Sequence, residues 1–167
     1  YMDNINLVTT SIKNQYQKGK KNFVLGDWCE DKNNVKNIIN NKNVYHWDNY
    51  TQRDKDLIFL KKFNDELINY FQNRLNAFYE LKYSQRFWQI ILMPWIWIYT
   101  ASLYDRWKII TSIQNQKNLQ FNYIPYDKKT FVMNDLSDFK RSISQSYWTE
   151  FVFGEAIKFK DIFNIQN

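Results

Sequence analysis

Cysteine and histidine each occur once in this sequence, as Cys29 and His46. A single cysteine excludes an internal disulfide and is typical of a protein from a reducing compartment. A single histidine excludes a metal centre built from several histidines. The opening residues also lack the basic segment and the apolar stretch of a signal peptide. We therefore expect a cytoplasmic protein that carries no metal and no cofactor.

Glycine and proline are scarce, with three and two residues. No glycine-rich loop of the Rossmann or P-loop kind is present, so the sequence predicts no nucleotide site of those types. The net charge is +6 and the pI about 9.2, without a long basic block. This excess favours anionic partners in general but does not predict a nucleic-acid interface. The 167 residues are enough for one domain with a core.

Aromatic side chains are abundant and make up 19% of the sequence. Four of the seven tryptophans lie in residues 83–107, where eighteen uncharged residues separate Arg86 from Asp105. That length reaches the threshold for a membrane span. Pro94 near its middle, and tryptophans at its centre instead of its ends, argue against one. We predict a long helix that is buried on most faces and around which the domain packs.

The same stretch also fits a second interpretation, in which the protein belongs to another class. A surface that exposes Trp95, Trp97 and Trp107 together would be a large apolar patch, which marks a partner or a bilayer. The alternative is therefore a non-enzymatic helical interaction or membrane-associated module, attached peripherally at the inner face of the membrane.

The first fifty residues have the pattern of a small parallel sheet. Residues 6–10, 22–26 and 44–47 are rich in β-formers, and residues 31–43 carry apolar side chains at helical spacing. Strand, helix and strand in this order predict parallel strands with functional loops at their carboxyl ends.

Helices are predicted for most of the remaining chain. Apolar side chains recur every three or four residues over 52–79, and the central run predicts a second long helix over 84–114, kinked at Pro94 and antiparallel to the first. Residues 121–126 are predicted to be irregular or an edge strand, because proline cannot donate to a ladder. Short helices are predicted over 136–144 and 147–159.

The predicted fold class is therefore α/β with helix dominating. We expect one domain with three parts: a small α/β sheet subregion over 1–50, a long helical hairpin over 51–115 and short helices over 116–167.

Two segments contain side chains that are able to carry chemistry. Cys29 follows the second predicted strand, and His46 lies beside Asp48 at the end of the third. A cysteine nucleophile needs a base, and a histidine beside a carboxylate is an acid or base. The structural alternatives are that Cys29 is a small buried hydrophobe and that His46 is a satisfied structural histidine.

Five segments together resemble a known family. They are LVTT at 7–10, LGDWC at 25–29, YHWD at 45–48, RFWQIILMPW at 86–95 and DRW at 105–107. In order and spacing they resemble the N-terminal region of a family of bacterial transferases encoded in surface-polysaccharide and O-antigen gene clusters, with the usual forms LGEWC, YHWDD and RYWRILIGPWL. The chain departs from these forms at Asp27, Asn49, Phe87, Gln89 and Met93.

The resemblance implies a glycosyltransferase-like function in lipopolysaccharide or other surface-polysaccharide biosynthesis, with an activated sugar donor and a glycan acceptor as partners. Family members are several times longer, so we expect the N-terminal half of a two-domain protein that lacks its C-terminal domain and is inactive alone.

The matching positions supply the candidate site residues. We expect His46 to act as general base on an acceptor hydroxyl and Asp48 to orient it, with either Arg86 or Arg106 holding an anionic group. The full set of candidate substrate-binding residues is Trp28, Cys29, Trp47, Arg86, Trp88 and Arg106.

Overall fold

A computed structural model of the chain describes residues 4–29, 37–161 and 164–166. The chain divides into two compact units, Tyr1–Val44 with Arg106–Asn167, and Tyr45–Asp105. The first unit contains a sheet and the second a helical hairpin.

The sheet of the first unit is parallel throughout its described strands. In sheet order they run β3-β2-β1-β4-β5. Leu7 lies between Phe23 and Phe121 in the register, so the middle of the sheet is lined by large apolar side chains. The strands are β1 (Ile5–Val8), β2 (Asn22–Val24), β3 (Ile38–Asn40), β4 (Leu119–Asn122) and β5 (Asn164–Gln166).

The described residues form four α-helices: α1 (Tyr50–Phe78), α2 (Gln85–Ser112), α3 (Leu136–Ile143) and α4 (Ser146–Lys160). The apolar core of the first unit combines the strands with the last turns of α2 and with α4. Its fully buried members include Leu7, Ile110, Phe121, Phe153 and Ile157. The prediction of a helix-rich α/β fold with a long hairpin and short C-terminal helices is confirmed.

The second unit is built from α1 and the larger part of α2. Asn49 caps α1, since its side chain accepts a hydrogen bond from the amide of Gln52 at 3.1 Å. The helices run antiparallel, and Ile68, Trp88 and Ile96 form their buried core.

Side-chain hydrogen bonds tie the helices of the hairpin together. The Thr100 hydroxyl donates to Asn64 at 2.8 Å, and the Trp88 indole donates to Asn76 at 3.0 Å. Helix α2 continues through Pro94. Within the described ranges, no helix combines the length and apolarity that a membrane crossing requires.

Two predictions for the N-terminal fifty residues were wrong. Ile38 and Ile39 lie in strand β3, not in a helix, because Asn37 has a left-handed φ of 70° that a helix cannot continue through. Residues 31–36 of the predicted helix lie outside the described residues. Residues 44–47 do not form a strand: His46–Asp48 is a single 3-10 turn that leads directly into the capped start of α1.

Strand β4 also differs from its prediction. The segment begins two residues earlier than expected, at Leu119, and β4 lies between β1 and β5 instead of at an edge. Pro125 follows the strand, so its missing amide does not interrupt the ladder.

The burial pattern along α1 yields a stability prediction. Replacing Ile68, which is fully buried, with alanine should lower the free energy of unfolding by about 2–5 kcal/mol, because it leaves a cavity. Replacing Ile58, which is 72% exposed on the same helix, should change it by less than about 0.5 kcal/mol. Urea unfolding of the two variants would measure the difference, and equal losses would contradict the packing described for α1.

Candidate functional site

The carboxyl ends of β1 and β4 lie side by side at the point where the strand order reverses. The chain passes from β1 to β2 on one edge, and enters β4 on the other edge only after the two long helices. In open parallel sheets, ligands bind in the crevice outside such a reversal point. The residues that follow β1 and β4 are therefore the first candidates for a site in this unit.

Gln15 joins the two strand ends and α4. Its side-chain oxygen accepts from the amide of Thr9 at 3.0 Å and from the Thr9 hydroxyl at 3.1 Å. Its side-chain nitrogen donates to Glu150 on α4 at 2.7 Å and to the carbonyl of Asn122 at 3.4 Å. One buried amide thus satisfies polar groups that follow β1, end β4 and line α4.

Glu150 is a buried carboxylate in this cluster, with 2% of its surface exposed. Its Oε1 accepts the hydrogen bond from Gln15, and its Oε2 accepts one from the Tyr126 hydroxyl at 2.6 Å. Burial raises the pKa of Glu150 above its usual value, and the hydrogen bonds from Tyr126 and Gln15 offset part of that rise. Burial and the neighbouring carboxylate also raise the pKa of Tyr126, so this phenol remains a hydrogen-bond donor.

Trp28 lies at the same edge of the sheet and is 46% exposed. Its indole donates to the carbonyl of Thr9 at 3.0 Å, which holds the ring at the carboxyl end of β1. Gly26 is required for this position, because a Cβ added there would overlap the six-membered ring of Trp28. An exposed indole held in this way is a stacking surface for a sugar ring or a base.

Cys29 is fully buried in the core of the same unit. Burial raises the pKa of its thiol to about 12, and the thiol donates to the carbonyl of Val8 at 3.4 Å. A thiol with so high a pKa is a poor nucleophile at neutral pH. The structural alternative for Cys29, a small buried hydrophobe, fits this environment.

Thr10 is the second hydroxyl of the LVTT segment and is also buried. Among the described residues its hydroxyl has no hydrogen-bond partner, whereas that of Thr9 is bonded to Gln15. A buried hydroxyl without a partner is costly, which makes Thr10 a candidate for binding a ligand.

In the second unit, two of the sequence motifs meet at one carboxylate. The Tyr45 hydroxyl donates to Asp105 Oδ1 at 2.6 Å, and His46 Nε2 lies 3.8 Å from the same oxygen. Tyr45 and His46 precede α1, and Asp105 is on α2, sixty residues away in sequence. The carboxylate beside the imidazole is therefore Asp105, while Asp48 is exposed to solvent.

A second buried carboxylate holds the next residue of this segment. The Trp47 indole donates to Asp56 at 3.2 Å, and Asp56 also accepts from Tyr104 at 2.8 Å and from Gln52 at 2.6 Å. Burial, followed by the hydrogen bond and charge of Asp56, raises the pKa of Tyr104 to about 12. The phenol therefore stays protonated and continues to donate.

The remaining predicted residues lie in different environments. Trp88 is buried in the hairpin core, whereas Arg86 is exposed in the first turn of α2. In the first unit, Arg106 contacts α4: a guanidinium nitrogen lies 3.5 Å from the Thr149 hydroxyl, and its carbon lies 6.0 Å from the centre of the Trp148 ring. These contacts do not test the roles predicted for the three side chains.

Sequence reasoning missed Gln15, Tyr126, Glu150 and Asp56 as members of polar clusters. Glu150 carries a recognisable signal, because it is the single charged residue between Arg141 and Glu155 in a largely apolar segment. Gln15 carries none, since it lies in a polar segment that reads as a loop. In the described part of the chain, no three His, Cys, Asp or Glu side chains converge to hold a metal ion.

The first unit is an open parallel α/β sheet with polar side chains at its carboxyl edge, a class of protein that binds ligands at that edge. Residues 5–166 match the model of the LIC12162 family transferase. Since the match spans nearly the whole chain, the protein belongs to this family. No curated protein and no solved structure matches the chain.

The two threonines at the end of β1 yield a matched pair of predictions. Thr9→Val should lower the free energy of unfolding by about 1 kcal/mol, because it removes a buried hydrogen bond to Gln15. Thr10→Val keeps the shape of the side chain but removes an unpartnered hydroxyl, so it should leave stability unchanged or raise it by up to about 1 kcal/mol. Chemical denaturation would rank them, and a Thr10→Val variant less stable than Thr9→Val would refute this assignment.

The raised pKa of Glu150 predicts a pH-dependent contribution to stability. The carboxyl ionises at a lower pH in the unfolded chain than in the folded one, so its favourable contribution is complete below about pH 4.5 and is lost as the pH rises through the folded pKa. Glu150→Gln cannot ionise, and its amide can still pair with Gln15 and Tyr126. The variant should therefore gain stability relative to the original chain between pH 4.5 and pH 8. Thermal unfolding across this range measures the difference, and a difference that is independent of pH would count against it.

Proposed function

We propose that this protein is a glycosyltransferase-like enzyme of bacterial surface-polysaccharide or lipopolysaccharide biosynthesis, which transfers a sugar from an activated donor to a glycan acceptor. Membership in a transferase family supports the reaction class. The resemblance to transferases of O-antigen gene clusters, through the YHWD and DRW segments above all, supports the substrate class. The observation that carries the proposal is the convergence of those two segments, Tyr45 and His46 with Asp105, at one carboxylate.

His46 has the environment that a general base in this reaction needs. Its imidazole is largely buried, with 12% of the side chain exposed, and lies at ion-pair distance from Asp105. The carboxylate stabilises the imidazolium that forms when the ring takes a proton. The Tyr45 hydroxyl holds Asp105 in place, and the neighbouring Trp47 is fixed by Asp56.

A single base is sufficient for the proposed transfer step. The acceptor oxygen forms a bond to the anomeric carbon of the donor as its proton passes to the imidazole of His46. The bond from that carbon to the leaving phosphate oxygen breaks, and the phosphate departs with the electron pair. The structure favours Asp105 over Asp48 as the group that orients the base, since Asp105 lies beside the ring and Asp48 is exposed.

The carboxyl edge of the sheet is proposed to bind a sugar by stacking and hydrogen bonding. Trp28 offers an exposed ring that is fixed by its bond to Thr9, and Thr10 offers a hydroxyl with no partner among the described residues. The chain supplies no glycine-rich loop for a donor diphosphate. We therefore do not assign a donor diphosphate to this edge.

The test separates His46, Asp105 and Asp48 in one assay. In a strain that lacks the gene, complementation with the original protein should restore the surface polysaccharide, and His46→Gln should lower transfer by about 10²–10⁴-fold, the usual contribution of a general base. Asp105→Asn should give a smaller loss, and Asp48→Asn should retain near-normal transfer.

Circular dichroism and expression level of each variant serve as the folding controls. Normal transfer by folded His46→Gln would remove His46 from the mechanism. A larger loss with Asp48→Asn than with Asp105→Asn would return the orienting role to Asp48. Unchanged surface polysaccharide in the deletion strain would overturn the pathway.

A further inference from the structure

The connected ends of α1 and α2 expose an unusual number of large apolar side chains. We call residues 70–91 the hairpin tip. Phe78 is 79% exposed and Ile90 is 62% exposed. With a rise of about 1.5 Å per helical residue, these side chains fall within roughly 12 Å of the turn that joins the helices. The exposed large apolar residues of the tip are Tyr70, Phe78, Tyr79, Tyr83, Phe87, Ile90 and Ile91.

These rings are not members of the buried core of the hairpin. Its core is made by Ile68, Trp88 and Ile96, with partly buried neighbours such as Leu75 and Leu92. Phe87 and Tyr83 border this core, with ring centroids 5.2 and 6.3 Å from that of Trp88, and the exposed rings also contact one another. Phe78 and Tyr79 have centroids 4.8 Å apart, and those of Tyr83 and Phe87 are 4.2 Å apart.

An open groove of about 610 Å³ lies on the same part of α1. Tyr70, Phe71, Leu75, Ala77 and Phe78 line it with mostly apolar surface. Arg74 completes the lining, and its guanidinium carbon lies 5.8 Å from the centre of the Tyr70 ring. A cation thus accompanies the aromatic surface.

The charge of the hairpin tip is positive. Between Glu66 and Asp105 the chain has a single acidic residue, Glu80. Three basic residues, Arg74, Lys82 and Arg86, lie in the tip, and all three are exposed. The net charge of the tip is therefore +2, from three cations and one anion.

We propose that the hairpin tip binds the surface of an anionic phospholipid bilayer. Tyrosine and phenylalanine rings are amphipathic or apolar and enter the headgroup region, and Lys and Arg pair with lipid phosphates. Aliphatic Ile90 and Ile91 are suited to the acyl boundary, whereas a nucleic acid would gain little from them. This surface overlaps the tryptophan-rich stretch at residues 83–91 but uses none of its tryptophans, because Trp88 is buried in the hairpin core.

The inference stands apart from the proposed enzymatic reaction. It requires no transfer activity and uses none of the residues assigned to the base or to the carboxyl edge of the sheet. Of the candidate substrate-binding residues, Arg86 and Trp88 lie in the tip, and the variants that test the inference leave both unchanged. Loss of activity in a His46 variant would leave it intact, and failure to bind lipid would leave the transfer chemistry intact.

Vesicle sedimentation tests the proposal with the full chain. The protein should pellet with vesicles of equal parts phosphatidylglycerol and phosphatidylcholine, less with phosphatidylcholine alone, and less again in high salt. Phe78→Ser with Phe87→Ser should weaken binding by about tenfold or more, because two inserted rings are lost. Arg74→Gln with Lys82→Gln should weaken it by about fivefold for each charge removed, on anionic vesicles only.

Matched controls lie on the same helix. Ile58→Ser removes an apolar side chain that is 72% exposed, and Lys61→Gln with Lys62→Gln removes two exposed cations. Both lie outside the tip and should leave binding unchanged. No pelleting of the original chain with anionic vesicles, or equal weakening by the control variants, would overturn the proposal. Self-association through Phe78 without lipid binding, seen as concentration-dependent sedimentation in the absence of vesicles, would replace it with a protein interface.

Discussion

The burial of strand β1 is the constraint on which the sheet-bearing unit depends. Both of its edges are occupied by parallel neighbours, and Leu7 and Val8 are fully buried. A strand enclosed in this way brings its carboxyl end to the reversal point of the sheet, where backbone and hydroxyl groups need partners. Gln15 supplies them, and its bond to Glu150 extends the arrangement to α4. The polar edge of the sheet therefore follows from the position of one strand.

In the hairpin unit, two carboxylates bind the segment that precedes α1. The short segment before α1 has no regular ladder of hydrogen bonds, so side chains must hold it. Asp105 holds Tyr45 and lies beside His46, and Asp56 holds Trp47. Two carboxylates on two helices thus bind the residues on either side of His46 and preorganise this segment. The hydrogen bonds of Tyr45 and Trp47 therefore hold the segment that contains the proposed base, His46.

Local pattern was sufficient for much of the fold. Helix α1 was predicted over 52–79 and spans Tyr50–Phe78, and both C-terminal helices were predicted within about two residues, because helical periodicity and capping residues are local properties. Strand β3 and the turn at His46 were not predicted, since their β-branched and aromatic residues suit several conformations. Pairing with β2 selects the strand, and the start of α1 selects the turn.

The sequence by itself determined the family resemblance, the helix-dominated α/β class and the candidate residues of the motifs. These follow from rare residues at fixed spacing and from amphipathic periodicity, which are local properties of the chain. Only the tertiary structure decided which partners these residues have. It placed Asp105 beside His46, buried Cys29 and joined Gln15 to Glu150 across 135 positions. Such pairings depend on strand order and helix register, which bring distant residues together and which no local pattern encodes.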